Sequence, residues 1–200
     1  MLALVYVALV SYVVGSFPSA YLAGKYLGGV DIRTLGDGNA GTANAWKSLG
    51  PWAGGLVFMM DVGKGAAAVS MARALGTEET GIMVAGAAAI AGHNWPVFLH
   101  FHGGRGAATA MGVLAAVMPL LVLPLMLLSL ASVRFTRNST AGVAVVFVPL
   151  PLVAWYAGVS WQMITFAIGL MLFVGVSHYI SERLWRPQGP VSPEKASRRV

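Results

Sequence analysis

Two long stretches without a charged residue constrain this chain more than anything else in it. From Gly106 to Val133, and again from Asn138 to Ser181, no Asp, Glu, Lys or Arg occurs. A domain folded in water carries charge at about a quarter of its positions, whereas a helix crossing lipid needs roughly 20 apolar residues in a row. Each stretch therefore holds one long spanning helix or two short ones. The rest of the chain agrees, with 57% hydrophobic and 10% charged residues. Leu2 to Gly24 lacks the basic lead-in of a signal peptide and is followed by equally apolar sequence, so it reads as a first crossing. With no cysteine, disulfides and thiolate metal sites are excluded. The net charge of +6 is scattered beside apolar segments, which suits anionic lipid headgroups and not nucleic acid.

Hydropathy predicts an all-α, polytopic membrane helix bundle with seven crossings: 2–24, 51–75, 81–101, 105–118, 119–133, 141–157 and 161–180. The fourth and fifth are short and divide at Pro119. Lys and Arg in short loops set orientation. With the N-terminus outside, one face collects Lys25, Arg33, Lys47, Arg105, Arg134, Arg137 and the tail from Arg183 to Arg199. The other receives the 76–80 turn with Glu78 and Glu79, the uncharged turn near Gly158, and one cation, Arg73. The C-terminus is therefore expected in the cytoplasm. Residues 1–185 read as one transmembrane domain and 186–200 as a polar cytoplasmic tail.

Chemistry is expected where glycine and polarity interrupt the apolar pattern. Between the first two crossings, Gly36, Asp37, Gly38, Asn39, Gly41, Thr42, Asn44 and Lys47 crowd one loop. Closely spaced glycines let backbone N–H groups converge on one point, as in an anion-binding nest. Inside the second crossing stand Asp61 and Lys64, followed by Gly65; a spacing of three puts the ion pair on one helical face. Ionisable groups at membrane depth are costly and usually functional, the plainer role being a structural pair that fixes helix packing. Lys64-Gly65 is not a phosphate loop, since Phe58 stands where that motif needs glycine and no Ser or Thr follows the lysine.

The third interruption runs from Gly92 and His93 through Trp95-Pro96 to Gly103-Gly104-Arg105. Pro96 breaks a helix, and the next helix starts beside Arg105, a ready place for phosphate. His93, His100 and His102 fall within ten residues, but no carboxylate accompanies them, so no metal is expected. Two weaker features remain. Ser139, at the start of the sixth helix, is either catalytic or only its N-cap, the commoner role for a lone serine. His178 ends the last crossing near the other polar clusters and is the candidate base.

These segments, in this order and spacing, resemble the PlsY family of acyl-phosphate:glycerol-3-phosphate acyltransferases over nearly the whole chain. Gly15-Ser16-Phe17-Pro18 with Tyr21, Asp31-Ile32-Arg33, the glycine loop, Asp61-Val62-Gly63-Lys64-Gly65, Gly92-His93, Trp95-Pro96-Val97-Phe98, Gly103-Gly104-Arg105-Gly106 and Arg183-Leu184 carry the match. The resemblance implies a seven-helix enzyme that moves a fatty acyl group from acyl phosphate to the sn-1 hydroxyl of glycerol 3-phosphate. It also implies lysophosphatidic acid as product, no cofactor, and the enzyme that produces acyl phosphate as a partner. The chain departs from the family loop G-S-G-N-x-G-A-T-N-x-x-R at Asp37, at Thr42-Ala43 and at Lys47. A carboxylate at 37 repels phosphate unless paired or protonated. Two lysines of the third motif are His102 and Arg105, and the closing pattern R-H-x-x-N-I-x-R-L is replaced. Without a gap, Ser177 and Ile180 take its His and Asn positions; with one deletion, His178 and Ser181 do.

Acyl phosphate is already activated, so no nucleophile is required, and no G-x-S-x-G elbow is present. Gly36, Asp37, Gly38, Asn39, Gly41, Thr42, Asn44, Lys47, Asp61, Lys64, Gly65, His93, Gly103 and Gly104 are expected to surround phosphate with Arg105, while His178 or the substrate's own phosphate takes the hydroxyl proton. Two alternatives stand beside this. One is a divergent paralogue with another acceptor or without turnover. The other is a small transporter of a phosphorylated solute, which would need a polar path through the later helices.

Overall fold

The computed structural model describes residues 1–184, and among them every regular element is helical. The first crossing is two helices, α1 (Leu2–Gly15) and α2 (Ser19–Gly28), broken at Pro18. A single 3-10 turn at Ile32–Thr34 and the short α3 (Thr42–Leu49) lead into α4 (Pro51–Ala74). Then follow α5 (Glu79–Asn94), a second 3-10 turn at Val97–Leu99, α6 (Ala107–Val117) and α7 (Pro119–Thr136). The last crossings are α8 (Ser139–Phe147) with α9 (Leu150–Tyr156), interrupted before two prolines, and α10 (Trp161–Leu184). The expected tail over 186–200 lies outside the described residues.

Among the described residues, six segments are long and apolar enough to cross a membrane: Leu2–Gly28, Pro51–Ala74, Glu79–Leu99, Pro119–Thr136, Ser139–Tyr156 and Trp161–Ser181. The expected split at Pro119 is present, because Met118 ends α6 and caps α7. At 11 residues, α6 rises about 16 Å, short of a hydrocarbon layer of about 30 Å. The cap of α8 corrects the sequence expectation for Ser139. Asn138 is the N-cap, its Oδ1 accepting from the Thr140 and Ala141 amides at 2.9 and 3.3 Å, and Ser139 is the first helical residue.

The bundle is apolar outside as well as inside. Leu2, Leu120, Phe135 and Tyr156 are each more than 80% exposed, the surface expected where lipid is the solvent. Without water to drive helices together, close packing of small residues must do so. Gly65 on α4 lies against the Thr109 carbonyl of α6, and Gly112 of α6 lies against the Val62 carbonyl of α4. Gly15 and Gly92 play the same part between α1 and α5. Gly65 is thus a helix-contact residue. Gly112→Val should force the two backbones apart and cost at least about 2 kcal/mol. A lowered melting temperature in detergent would show it; an unchanged one would contradict the packing.

Arg73, the single cation expected on the glutamate-bearing side, has a structural task. Its Nη1 donates to the Ala116 carbonyl at 2.7 Å, satisfying an orphan acceptor at the C-terminus of α6.

Candidate functional site

The site forms where the 36–44 loop, the 94–105 loop and the end of α10 meet. Asn44, buried in the first turn of α3, organises the first loop. Its Nδ2 donates to the carbonyls of Leu35 (2.9 Å), Asn39 (3.0 Å) and Ile32 (3.1 Å), while its Oδ1 accepts from the Ser48 hydroxyl at 3.0 Å. Both ends of the amide are spent on the chain, so Asn44 shapes the loop and does not reach for phosphate as expected. Gly36, at φ +57°, passes so close to Asn44 Oδ1 that no side chain fits. Asp31 caps the adjoining 3-10 turn and pairs with Arg33 at 2.6 Å. The Arg33 guanidinium holds its carboxyl below the usual carboxylate range, against an opposing effect of partial burial. Arg33 Nη1 also reaches the Leu99 carbonyl at 3.4 Å, joining the two loops.

The second loop folds back over the C-terminus of α5. The amides of Gly103 and Gly104 donate to the carbonyls of Asn94 (3.2 Å) and His93 (3.0 Å). These amides thus cap α5, and both glycines also line the cleft. Two consecutive non-glycine residues, His100 and Phe101, hold φ of +53° and +62°, which tightens the turn. The Ala40 amide donates to the Gly103 carbonyl at 3.4 Å, a second tie between the loops.

Between them opens a cleft lined by Asn39, Asn94, Trp95, Phe101, Gly103, Gly104, Ser177, Ile180 and Ser181. Asn94 Nδ2 donates to Ser177 Oγ at 2.9 Å, and its Oδ1 is buried with no partner among the described residues. Arg105 Nε donates to Ser181 Oγ at 3.2 Å, and Arg105 Nη2 meets Asp37 Oδ2 at 3.0 Å. The condition set for Asp37 from sequence, that it be paired, is met. Ser177 and Ser181, one turn apart on α10, share the face toward the site. His178 is half-buried about 100° further round the helix and is not among the lining residues, which Ile180 joins. Sequence reasoning passed over Asn94 and left Ser177 undecided; a carboxamide closing an apolar helix was the available signal.

Deeper in the bundle lies the second polar cluster. Asp61 is fully buried on α4, with Lys64 Nζ at 2.9 Å, His93 Nδ1 at 3.5 Å and the Thr42 hydroxyl at 3.4 Å. The Ser19 hydroxyl also donates to it. Lys64 donates in addition to the Phe17 carbonyl at 3.0 Å, an acceptor at the α1–α2 break. Four helices, α2 to α5, are thus tied at one carboxylate. Lys64 and His93 were expected to hold phosphate, yet both are buried and engaged here, as is Thr42 in part. Lys47 stands exposed on α3, outside the cleft lining. Ser139 makes no hydrogen bond to either cluster among the described residues.

The cleft therefore keeps, of the expected residues, Asn39, Gly103, Gly104 and the Asp37–Arg105 pair beside it. Asn39 is the one whose side-chain amide lines the cleft without a hydrogen bond among the described residues. A guanidinium, a carboxamide and two serine hydroxyls at the end of an apolar bundle suit a small polyol phosphate meeting a lipid-borne chain. No group of three or more His, Cys, Asp or Glu suited to a metal occurs among the described residues.

Comparison with known proteins agrees with this chemistry. The family model described as glycerol-3-phosphate acyltransferase matches residues 5–185. Glycerol-3-phosphate acyltransferase 4 of Dehalococcoides mccartyi is 44% identical, over 88% of this chain and 95% of that protein. Glycerol-3-phosphate acyltransferase of Desulforudis audaxviator is 36% identical, over 88% and 89%. Among solved structures, PlsY, an integral membrane glycerol 3-phosphate acyltransferase, superposes in its glycerol 3-phosphate form with a TM-score of 0.79 at 30% identity, covering 88% of both chains. Its lysophosphatidic acid form gives 0.77. With 181 residues inside the family match and a shared fold, the chain belongs to the PlsY-type glycerol-3-phosphate acyltransferase family of integral membrane proteins.

Proposed function

We propose that this protein moves a fatty acyl group from acyl phosphate to the sn-1 hydroxyl of glycerol 3-phosphate, releasing lysophosphatidic acid and inorganic phosphate. The observation that carries the reading is the cleft, lined by Asn39, Ser177, Ser181 and half-exposed apolar side chains, with Arg105 beside it on the Ser181 hydroxyl. The acceptor half follows from relatives named for glycerol 3-phosphate. The donor half rests on the resemblance to the family, and a phosphate leaving group is activated enough to need no enzyme nucleophile.

In this mechanism Arg105 holds phosphate oxygens, and Asn39 with the two serines orients the hydroxyls, so catalysis is chiefly positioning and charge stabilisation. Asn94 orients Ser177 through its Nδ2. His178 lies off the cleft, so the acceptor's own phosphate takes the proton as the ester bond forms and the acyl–phosphate bond breaks. Trp95, Phe101 and Ile180, 48%, 56% and 46% exposed, form the lipid-side mouth for the acyl chain.

The same reading places the cleft on the cytoplasmic side, with the N-terminus outside and α6 as a seventh crossing. α5 ends beside Asp61, ten residues into α4, so the 95–106 loop starts α6 from within the membrane. Arg73, near the end of α4, meets Ala116, near the end of α6, so the two finish together. Lys25, Arg33, Lys47, Arg105, Arg134 and Arg137 then share one side. The enzyme that makes acyl phosphate would deliver it at this face. A transporter is disfavoured because α7, α8 and α9 bury one polar side chain among the described residues, Ser129.

Purified protein given glycerol 3-phosphate should form lysophosphatidic acid from acyl phosphate and not from acyl-CoA. Equal use of acyl-CoA would sink the donor assignment. Acylation of a different acceptor would favour the divergent-paralogue reading, which the carboxylate of Asp37 supports.

A further inference from the structure

Asp37 occupies the place of a ligand. Its Oδ2 takes the Arg105 guanidinium at 3.0 Å, and its Oδ1 accepts the Asn39 amide at 3.3 Å. Gly36 and Gly38, at φ +57° and +74°, turn the backbone around it. One cationic fork and one backbone amide in a glycine loop are the donors an incoming phosphate would use. The two partners are unequally fixed. Arg105 is mostly buried, its side chain 14% exposed, and Ser181 holds its Nε independently. Asp37 is 41% exposed and is otherwise kept by one long hydrogen bond.

We propose that Asp37 acts as an internal competitor for phosphate at Arg105. It fills the guanidinium when the site is empty, yields to the acceptor's phosphate, and returns as that phosphate departs on lysophosphatidic acid. The inference rests on the reading of Arg105 as the phosphate ligand. Because Ser181 and the surrounding packing already place Arg105, removing the carboxylate frees the guanidinium without losing it. A resident anion thus lowers affinity for every phosphate-bearing ligand of the site, the acceptor and lysophosphatidic acid alike. The benefit is quicker escape of a product that shares the acceptor's charge.

The test is calorimetric titration of inorganic phosphate into the full-length protein in detergent, for the native chain, Asp37→Ser and the nearly isosteric Asp37→Asn. Melting temperatures taken alongside establish folding. Both variants should bind phosphate about tenfold more tightly, the scale of one like-charge interaction at a half-exposed site. The KM for glycerol 3-phosphate should fall in parallel. Unchanged or weaker phosphate binding in both folded variants overturns the proposal and makes Asp37 a brace for Arg105. Tighter phosphate binding in a protein that forms no lysophosphatidic acid upholds it while refuting the proposed reaction.

Discussion

Lys64→Ala is expected to destabilise the protein itself, by about 3–5 kcal/mol, because it leaves the Asp61 carboxylate buried without its main counter-ion. The pair sits at 2.9 Å with both side chains no more than 6% exposed, and Lys64 also satisfies the Phe17 carbonyl at the α1–α2 break. Size-exclusion profiles and melting curves in detergent should show loss of folded protein for Lys64→Ala and for Asp61→Ala. The double substitution Asp61→Leu with Lys64→Leu should fare better than either, since an apolar pair removes the uncompensated charge. A Lys64→Ala protein that melts like the native one but does not turn over would instead restore the lysine to phosphate binding.

Arg105→Ala should leave the bundle folded and reduce kcat/KM for glycerol 3-phosphate by at least about a hundredfold, or roughly 2.7 kcal/mol of transition-state stabilisation. Two effects add. The guanidinium no longer binds phosphate, and Asp37, 3.0 Å from it in the native site, is left to repel the substrate. Asp37→Ser on the Arg105→Ala background should therefore recover part of the loss, a coupling that steady-state kinetics of the double variant measures. Arg105→Lys should be milder, keeping the charge and losing the fork. Unchanged turnover in both Lys64→Ala and Arg105→Ala would remove these clusters from the account altogether.

Much of the fold was legible because lipid demands a simple pattern. The charge-free runs, Pro96 and Pro119 locate helices and breaks to within a few residues. Gly65, Gly103, Gly104 and Asn44 were legible only as unusual residues. Glycine beside a polar segment either frees amides or admits a neighbouring backbone, and the difference lies in what packs against it. Gly65 meets α6, and the other two glycines cap α5. Asn44 spends its whole amide inside its own loop. The register of the closing motif lay beyond sequence for the same reason. Only the contacts of Asn94 with Ser177 and of Arg105 with Ser181 pick the face of α10 that meets the cleft. The Asp37–Arg105 pair joins two departures from the family pattern that look unrelated along the chain, 68 residues apart.

The central claim is that acyl transfer occurs in the cleft between the two loops and α10. The most direct measurement is lysophosphatidic acid formation from acyl phosphate and glycerol 3-phosphate by purified native protein and by Ser177→Phe, whose ring fills the cleft. Rapid product formation by the native protein, and its loss in a Ser177→Phe variant with native melting behaviour, is the predicted result. Undiminished turnover in that variant would contradict the claim and move the chemistry elsewhere in the bundle.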